Sequence, residues 1–155
     1  MSFQISALPI EPFQDLFGLD DDRLEAKGVR RMIVDECPGF PCRLSLKDME
    51  VGDSVLLLNY EHQPTSSPYR SSHAIFIGEG SVQATLSPGE VPLQLQRRLL
   101  SMRGFDADGM MIDADVLDGA DLAQSAERML ADPSISYLHV HNAKRGCYAA
   151  RIDRC

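Results

Sequence analysis

LLSMRGFDADGMMIDADV, residues 99–116, decides the fold. Two apolar-rich runs, 99–105 and 110–116, flank Asp106-Ala107-Asp108-Gly109. Asp-Gly between such runs is a strong hairpin signal, because glycine supplies the positive φ that a tight turn needs. A second hairpin follows, with residues 137–141 and 147–152 around Ala143-Lys144-Arg145-Gly146. Hairpins pair antiparallel strands. The expected fold is therefore α+β: a mostly antiparallel, or mixed, sheet with two or three helices packed to one side.

The rest of the chain fits that frame. Residues 118–132 give the clearest helix, with Leu122, Ala126, Met129 and Leu130 on one face and Pro133 as its stop. Asp20-Asp21-Asp22 puts anions at the start of a helix that ends at Lys27-Gly28. Residues 11–17 suggest a further short helix, and 91–98 suit either helix or strand. Strands are expected over 3–8, 29–35, 54–60 and 73–77, with a short one over 81–86. Val55-Leu56-Leu57-Leu58 is apolar on both faces, which places it centrally in a sheet.

The 155 residues suit one domain, with 44% hydrophobic and 25% charged residues in the ordinary globular range. The net charge of −8, with basic residues scattered in pairs, argues against nucleic acid as a partner. Neither a secretory signal nor an apolar run of membrane-spanning length is visible, so no membrane partner is expected. The expected compartment is the cytoplasm, where the four cysteines would stay thiols.

Three places concentrate chemistry. Asn59-Tyr60-Glu61-His62 and Tyr69-Arg70-Ser71-Ser72-His73 flank a polar loop over 63–72. Pairing of the two flanking strands brings His62 and His73 to one sheet end. The plainer reading is a loop whose polar side chains cap their own backbone. The second place is Tyr137-Leu138-His139-Val140-His141-Asn142, where alternation puts both imidazoles on one strand face, about 6.7 Å apart. That spacing suits a metal, and zinc or iron needs a third ligand, which His73, Cys147 or Glu61 could supply. The third is Cys37 to Cys42, whose four intervening residues differ from the two of a redox pair. Cys147, on the strand paired with the His-x-His strand, is the more interesting thiol, because a thiolate beside an imidazole is an activated nucleophile.

Other matches fail. Asp106, Asp108, Asp113 and Asp115 lack the glycine spacing and closing Glu of a calcium loop. No phosphate loop, dinucleotide fingerprint or Gly-x-Ser-x-Gly elbow is present.

The stretches CPGFPCR (37–43), LLLNYEHQP (56–64), SPYRSSHAIF (67–76), FDADGMMIDADV (105–116) and YLHVHNAKRGCYAARI (137–152) resemble a bacterial family known as domain of unknown function number 1203. The likeness runs over essentially the whole chain. It implies a stand-alone bacterial protein of this size, and it carries no activity, cofactor or catalytic residue.

The leading expectation is a small-molecule site, binding an anionic ligand at the sheet edge, whether or not it is catalytic. Tyr60, His62, His73, Tyr69 and Arg70 would form one wall and His139, His141, Asn142 and Arg145 another. An arginine would hold the anion, and His73, His139 or Cys147 would carry any chemistry. One alternative is a mononuclear metal protein using His139 and His141. Another is a non-catalytic interaction module. The sequence names no cofactor or substrate and sets no oligomeric state.

Overall fold

The computed structural model describes residues 2–155. In chain order the elements are β1 (Phe3–Ser6), α1 (Asp21–Ala26), β2 (Arg30–Ile33), β3 (Ser54–Gln63), β4 (Ser71–Gly78), α2 (Leu93–Gln96), β5 (Leu99–Phe105), β6 (Met111–Asp118), α3 (Leu122–Leu130), β7 (Tyr137–Asn142) and β8 (Tyr148–Arg154). The strands form two antiparallel sheets, and the fold is α+β. Two compact units result. The first comprises residues 2–6, Glu61–His73 and Thr85–Cys155, and the second Ala7–Tyr60 and Ala74–Ala84.

The first unit carries the five-stranded sheet, in the order β1-β8-β7-β5-β6. Both expected hairpins are there. Gly109 takes φ +78° at the tip of the β5–β6 turn, where its N–H donates to the Asp106 carbonyl at 3.1 Å. The register sets Met102 against Val140 and Gly104 against Leu138, which in turn face Ala150 and Ile152. These residues form the apolar face. A side chain at Gly104 would strike Met129 of α3 and Ile135, so the bare backbone there lets the helix approach. Leu122, Ala126, Met129 and Leu130 are all buried, as the 3.6-residue periodicity predicts. The alternation that gives the sheet this apolar face sends Ser101, Arg103, Tyr137, His139 and His141 to the other.

The second unit holds α1, β2 and the longer parts of β3 and β4. In its three-stranded sheet, β3 lies between β2 and β4, the central place its apolar run predicts. Asp20 caps α1, accepting from the Arg23 N–H at 2.8 Å. Val34, Phe40 and Val55 form a buried cluster with Met49 and Phe76 against it. The 37–43 stretch keeps its two thiols in different settings. Cys37 is exposed, while Cys42 is buried, with Sγ accepting from Gly78 N–H at 3.2 Å and Ser45 N–H at 3.4 Å. Among the described residues no disulfide joins any of the four cysteines.

Some expected elements differ. The helix expected over 11–17 is a single 3-10 turn, Gln14–Leu16, ended by Gly18 at φ +80°. Residues 81–86 form no strand; Ser81 N–H turns back to the Gly78 carbonyl at 3.0 Å and Ala84 N–H reaches the Leu44 carbonyl at 2.7 Å in place of a ladder. Residues 93–96 resolve to helix, following Pro92, whose fixed φ suits a helix entry. β3 and β4 also run further than expected, to Gln63 and from Ser71. His62 therefore sits within β3, beyond the strand end expected at Tyr60, and His73 lies in β4 as expected.

Candidate metal centre

All four histidines of the chain gather in the first unit. His139 and His141 come from β7, and His62 from the end of β3. The His62 ring centroid lies 5.9 Å from that of His139, 4.9 Å from that of His141 and 6.5 Å from that of His73. One ring nitrogen from each of His62, His139 and His141 lies within 4.8 Å of those of the other two. The third member of the set is thus His62, and not His73, Cys147 or Glu61.

The rings are buried. His62 is 8% exposed, His139 2% and His141 1%. Tyr148 forms part of their enclosure, stacked on His62 at 5.1 Å and edge-on to His139 and His141. Burial pushes all three imidazoles down: His62 to about 4, helped by His73 and Arg103, and His139 to about 3, helped by its histidine neighbours and by Arg151 and Arg103. His141 falls to about 3 by burial, although its bond to Gly146 opposes the shift. At neutral pH the three rings are uncharged, the form in which imidazole binds metal.

Each ring carries one buried, unpartnered nitrogen. Nδ1 of His62, Nδ1 of His139 and Nε2 of His141 are buried without a hydrogen-bond partner. For His141 the cause is explicit. Its Nδ1 lies 2.8 Å from the Gly146 carbonyl oxygen, which accepts only, so Nδ1 carries the proton and Nε2 a lone pair. His62 Nε2 lies 3.4 Å from Ser71 Oγ, on the side away from its bare nitrogen. A buried polar atom left unpaired costs about 1–3 kcal/mol, so three in one place need a reason.

Arg103 completes the floor. It stands on β5 directly opposite His139, and its guanidinium Nε donates to Ser101 Oγ at 3.3 Å. Burial pulls its guanidinium below the usual arginine range. Arg151 faces His139 from β8, but it is neutralised by Asp153 at 2.8 Å and lies over the Tyr137 ring at 4.1 Å. A pocket of about 680 Å³ shares His62 with the triad and is walled by Gln63, Tyr137 and Arg151 together with the 64–67 and 107–110 turns.

The remaining expected site residues lie elsewhere. Tyr60 packs on Phe13 at 5.6 Å within the second unit. Arg70 is exposed and paired with Glu61 at 3.0 Å. Tyr69 is 39% exposed, with its ring edge toward Phe105 at 6.4 Å. Arg145 is exposed in the β7–β8 turn. Asn142 Nδ2 donates to Cys147 Sγ at 3.5 Å. The ladder shifts by one residue after Val140, so Tyr148 and not Ala149 is set against His141, and Cys147 lies just before β8 begins. Arg103, Tyr148 and Arg151 were missed because only cross-strand register shows them. The one local hint was a charged arginine between Met102 and Gly104 in a largely apolar strand.

Fold and site together define an α+β protein with three neutral, buried histidines converging on the face of a sheet. The chain belongs to the family described as "Protein of unknown function (DUF1203)", whose model matches residues 39–154 and so includes all four histidines. No curated protein and no solved structure matches it. No helix among the described residues is long and apolar enough to cross a membrane.

Proposed function

We propose that the protein binds one divalent transition-metal ion through His62, His139 and His141. One observation carries this reading: three buried imidazoles converge with an unpartnered nitrogen on each ring. A bound ion satisfies all three at once. Metal–nitrogen bonds of about 2.0–2.1 Å put tetrahedral ligand atoms about 3.3–3.4 Å apart. Small rotations of the rings bring a set within 4.8 Å to that spacing. Three imidazoles suit zinc first, and iron, cobalt, nickel or copper by the same donor chemistry. Three protein ligands also leave a coordination position for a water or a small molecule, the arrangement of catalytic rather than structural zinc sites. The outer contacts fit as well, since the Gly146 carbonyl and the Ser71 hydroxyl hold the second nitrogen of two ligands. The compartment we propose is the bacterial cytosol, where the four cysteines remain thiols.

The test is metal stoichiometry by plasma mass spectrometry, on untagged protein and on protein reloaded after chelation. About one equivalent per chain is expected for the wild type. His62→Ala, His139→Ala and His141→Ala should each lose it, and His73→Ala should keep it. Ser71→Ala should weaken binding by about 10–100-fold, the usual cost of removing an outer partner. Wild-type protein that takes up no metal after reloading, or uptake unchanged in the three triad variants, overturns the reading.

A further inference from the structure

The charge around the triad points to what occupies the open position. Three neutral ligands leave a divalent ion's two positive charges uncompensated. No Asp or Glu belongs to the cluster among the described residues. Two carboxylates close by in the chain are already engaged, Asp153 with Arg151 and Glu61 with Arg70, while Asp108 lines the neighbouring pocket. Arg103 adds a further positive charge on the same sheet face, opposite His139. Its guanidinium spends one donor on a hydroxyl and pairs with no carboxylate among the described residues. A half-buried guanidinium with donors to spare is a fork for an oxyanion.

Resting on the metal reading, we infer that Arg103 and the triad-bound metal together bind a small oxyanionic ligand, with one oxygen on the metal and the others on the guanidinium. The anion then offsets part of this positive charge. The neighbouring pocket, with His62, Tyr137 and Gln63 in its wall, gives room for an organic body attached to the anion. Tyr137 and Gln63 are bonded to each other at 2.9 Å and hold that wall in place. Arg103 is thereby assigned a ligand-binding role that the sequence reading gave to Arg70 and Arg145.

Cobalt(II) is the probe, because its visible bands report both occupancy and coordination. The experiment titrates cobalt-loaded protein with sodium acetate and, separately, with sodium phosphate. The wild-type bands should shift saturably with at least one of them, and the arm that responds tells a carboxylate site from a phosphate site. Arg103→Gln should take up cobalt as the wild type does, yet need about tenfold or more of the same anion for half the shift. Arg103→Lys, which keeps the charge and loses the fork, should fall between them. Equal cobalt uptake and circular dichroism in the variants establish that they fold. Cobalt uptake without an anion-dependent shift, or a shift of equal midpoint in all three proteins, overturns this inference and leaves the metal reading standing. Absence of cobalt uptake by the wild type overturns both.

Discussion

His141 Nδ1 and the Gly146 carbonyl oxygen stand 2.8 Å apart, and that contact decides which nitrogen of the ring is bare. A carbonyl cannot donate, so the ring is held as the Nδ1–H tautomer with Nε2 buried and unpaired. Nitrogen-15 NMR of metal-free protein at pH 6 should therefore show His141 in one tautomer, with a protonated Nδ1 and a bare Nε2. Zinc should then move the Nε2 resonance and leave Nδ1 protonated. A mixed-tautomer signal for His141, or a zinc shift on Nδ1, would contradict the geometry.

The three orphaned nitrogens should also make the triad a liability to the metal-free fold. Replacing a buried group that lacks a partner by an apolar one of similar size removes its desolvation cost. His139 is packed by Phe105, Tyr137 and Tyr148, with ring centroids at 5.1, 5.2 and 5.1 Å, so a leucine keeps most of that contact. His139→Leu should leave the stability of the metal-free protein unchanged or raise it by about 1–2 kcal/mol. In urea titrations that appears as a higher midpoint at equal slope. In the presence of zinc the order should invert, since only the wild type gains binding energy. A variant less stable than the wild type without metal would mean that His139 is there for packing.

Much of this arrangement was legible in the sequence, for a reason of range. Asp106 to Gly109 and the 143–146 turn are local signals, and both hairpins formed where they pointed. The His139-Val140-His141 alternation is local too, so the shared face of two ligands was readable. His62 was harder. It was expected beyond the strand's end, flanking the polar loop over 63–72, yet the β3 ladder persists to Gln63. Its convergence on β7 is a contact across some 77 residues of chain, and no periodicity encodes it. The one-residue shift after Val140 similarly set Tyr148 rather than Ala149 against His141, and Arg103 became visible only once β5 was set beside β7.

Acid should expose the same triad. The folded rings resist protonation down to about 4 for His62 and about 3 for His139 and His141, whereas in the unfolded chain they take protons near 6.5. Between those values the unfolded state binds more protons, so stability falls as pH falls. The contribution is fully present above about pH 7 and is lost progressively from about pH 6.5 to pH 3, at up to about 1.4 kcal/mol per pH unit for each ring. Urea midpoints of the metal-free protein at pH 7.5, 6 and 5 should therefore decline steadily. His139→Leu should decline less steeply over the same range. Parallel curves for the two proteins would mean that the rings charge freely in the fold.

The edge strand β6 carries its own protection. It ends the five-stranded sheet and exposes Ile112 at 44% and Val116 at 62%, a combination that invites pairing with another chain. Two edge amides, however, are taken by their own neighbours. Ala114 N–H donates to Asp113 Oδ1 and Val116 N–H to Asp115 Oδ1, both at 2.9 Å. Asp115 is further held by Arg128 of α3 at 2.9 Å. A joining strand would have to break these bonds and face two carboxylates. Asp113→Ala combined with Asp115→Ala should therefore self-associate more strongly, by about tenfold or more in sedimentation equilibrium. The paired Asp→Asn variant keeps an acceptor oxygen at both positions and loses the charge, so it separates the two causes. If the alanine pair associates and the asparagine pair does not, amide capping guards the edge. If both associate alike, charge does. If neither departs from the wild type, the exposed apolar residues of β6 are harmless without either device.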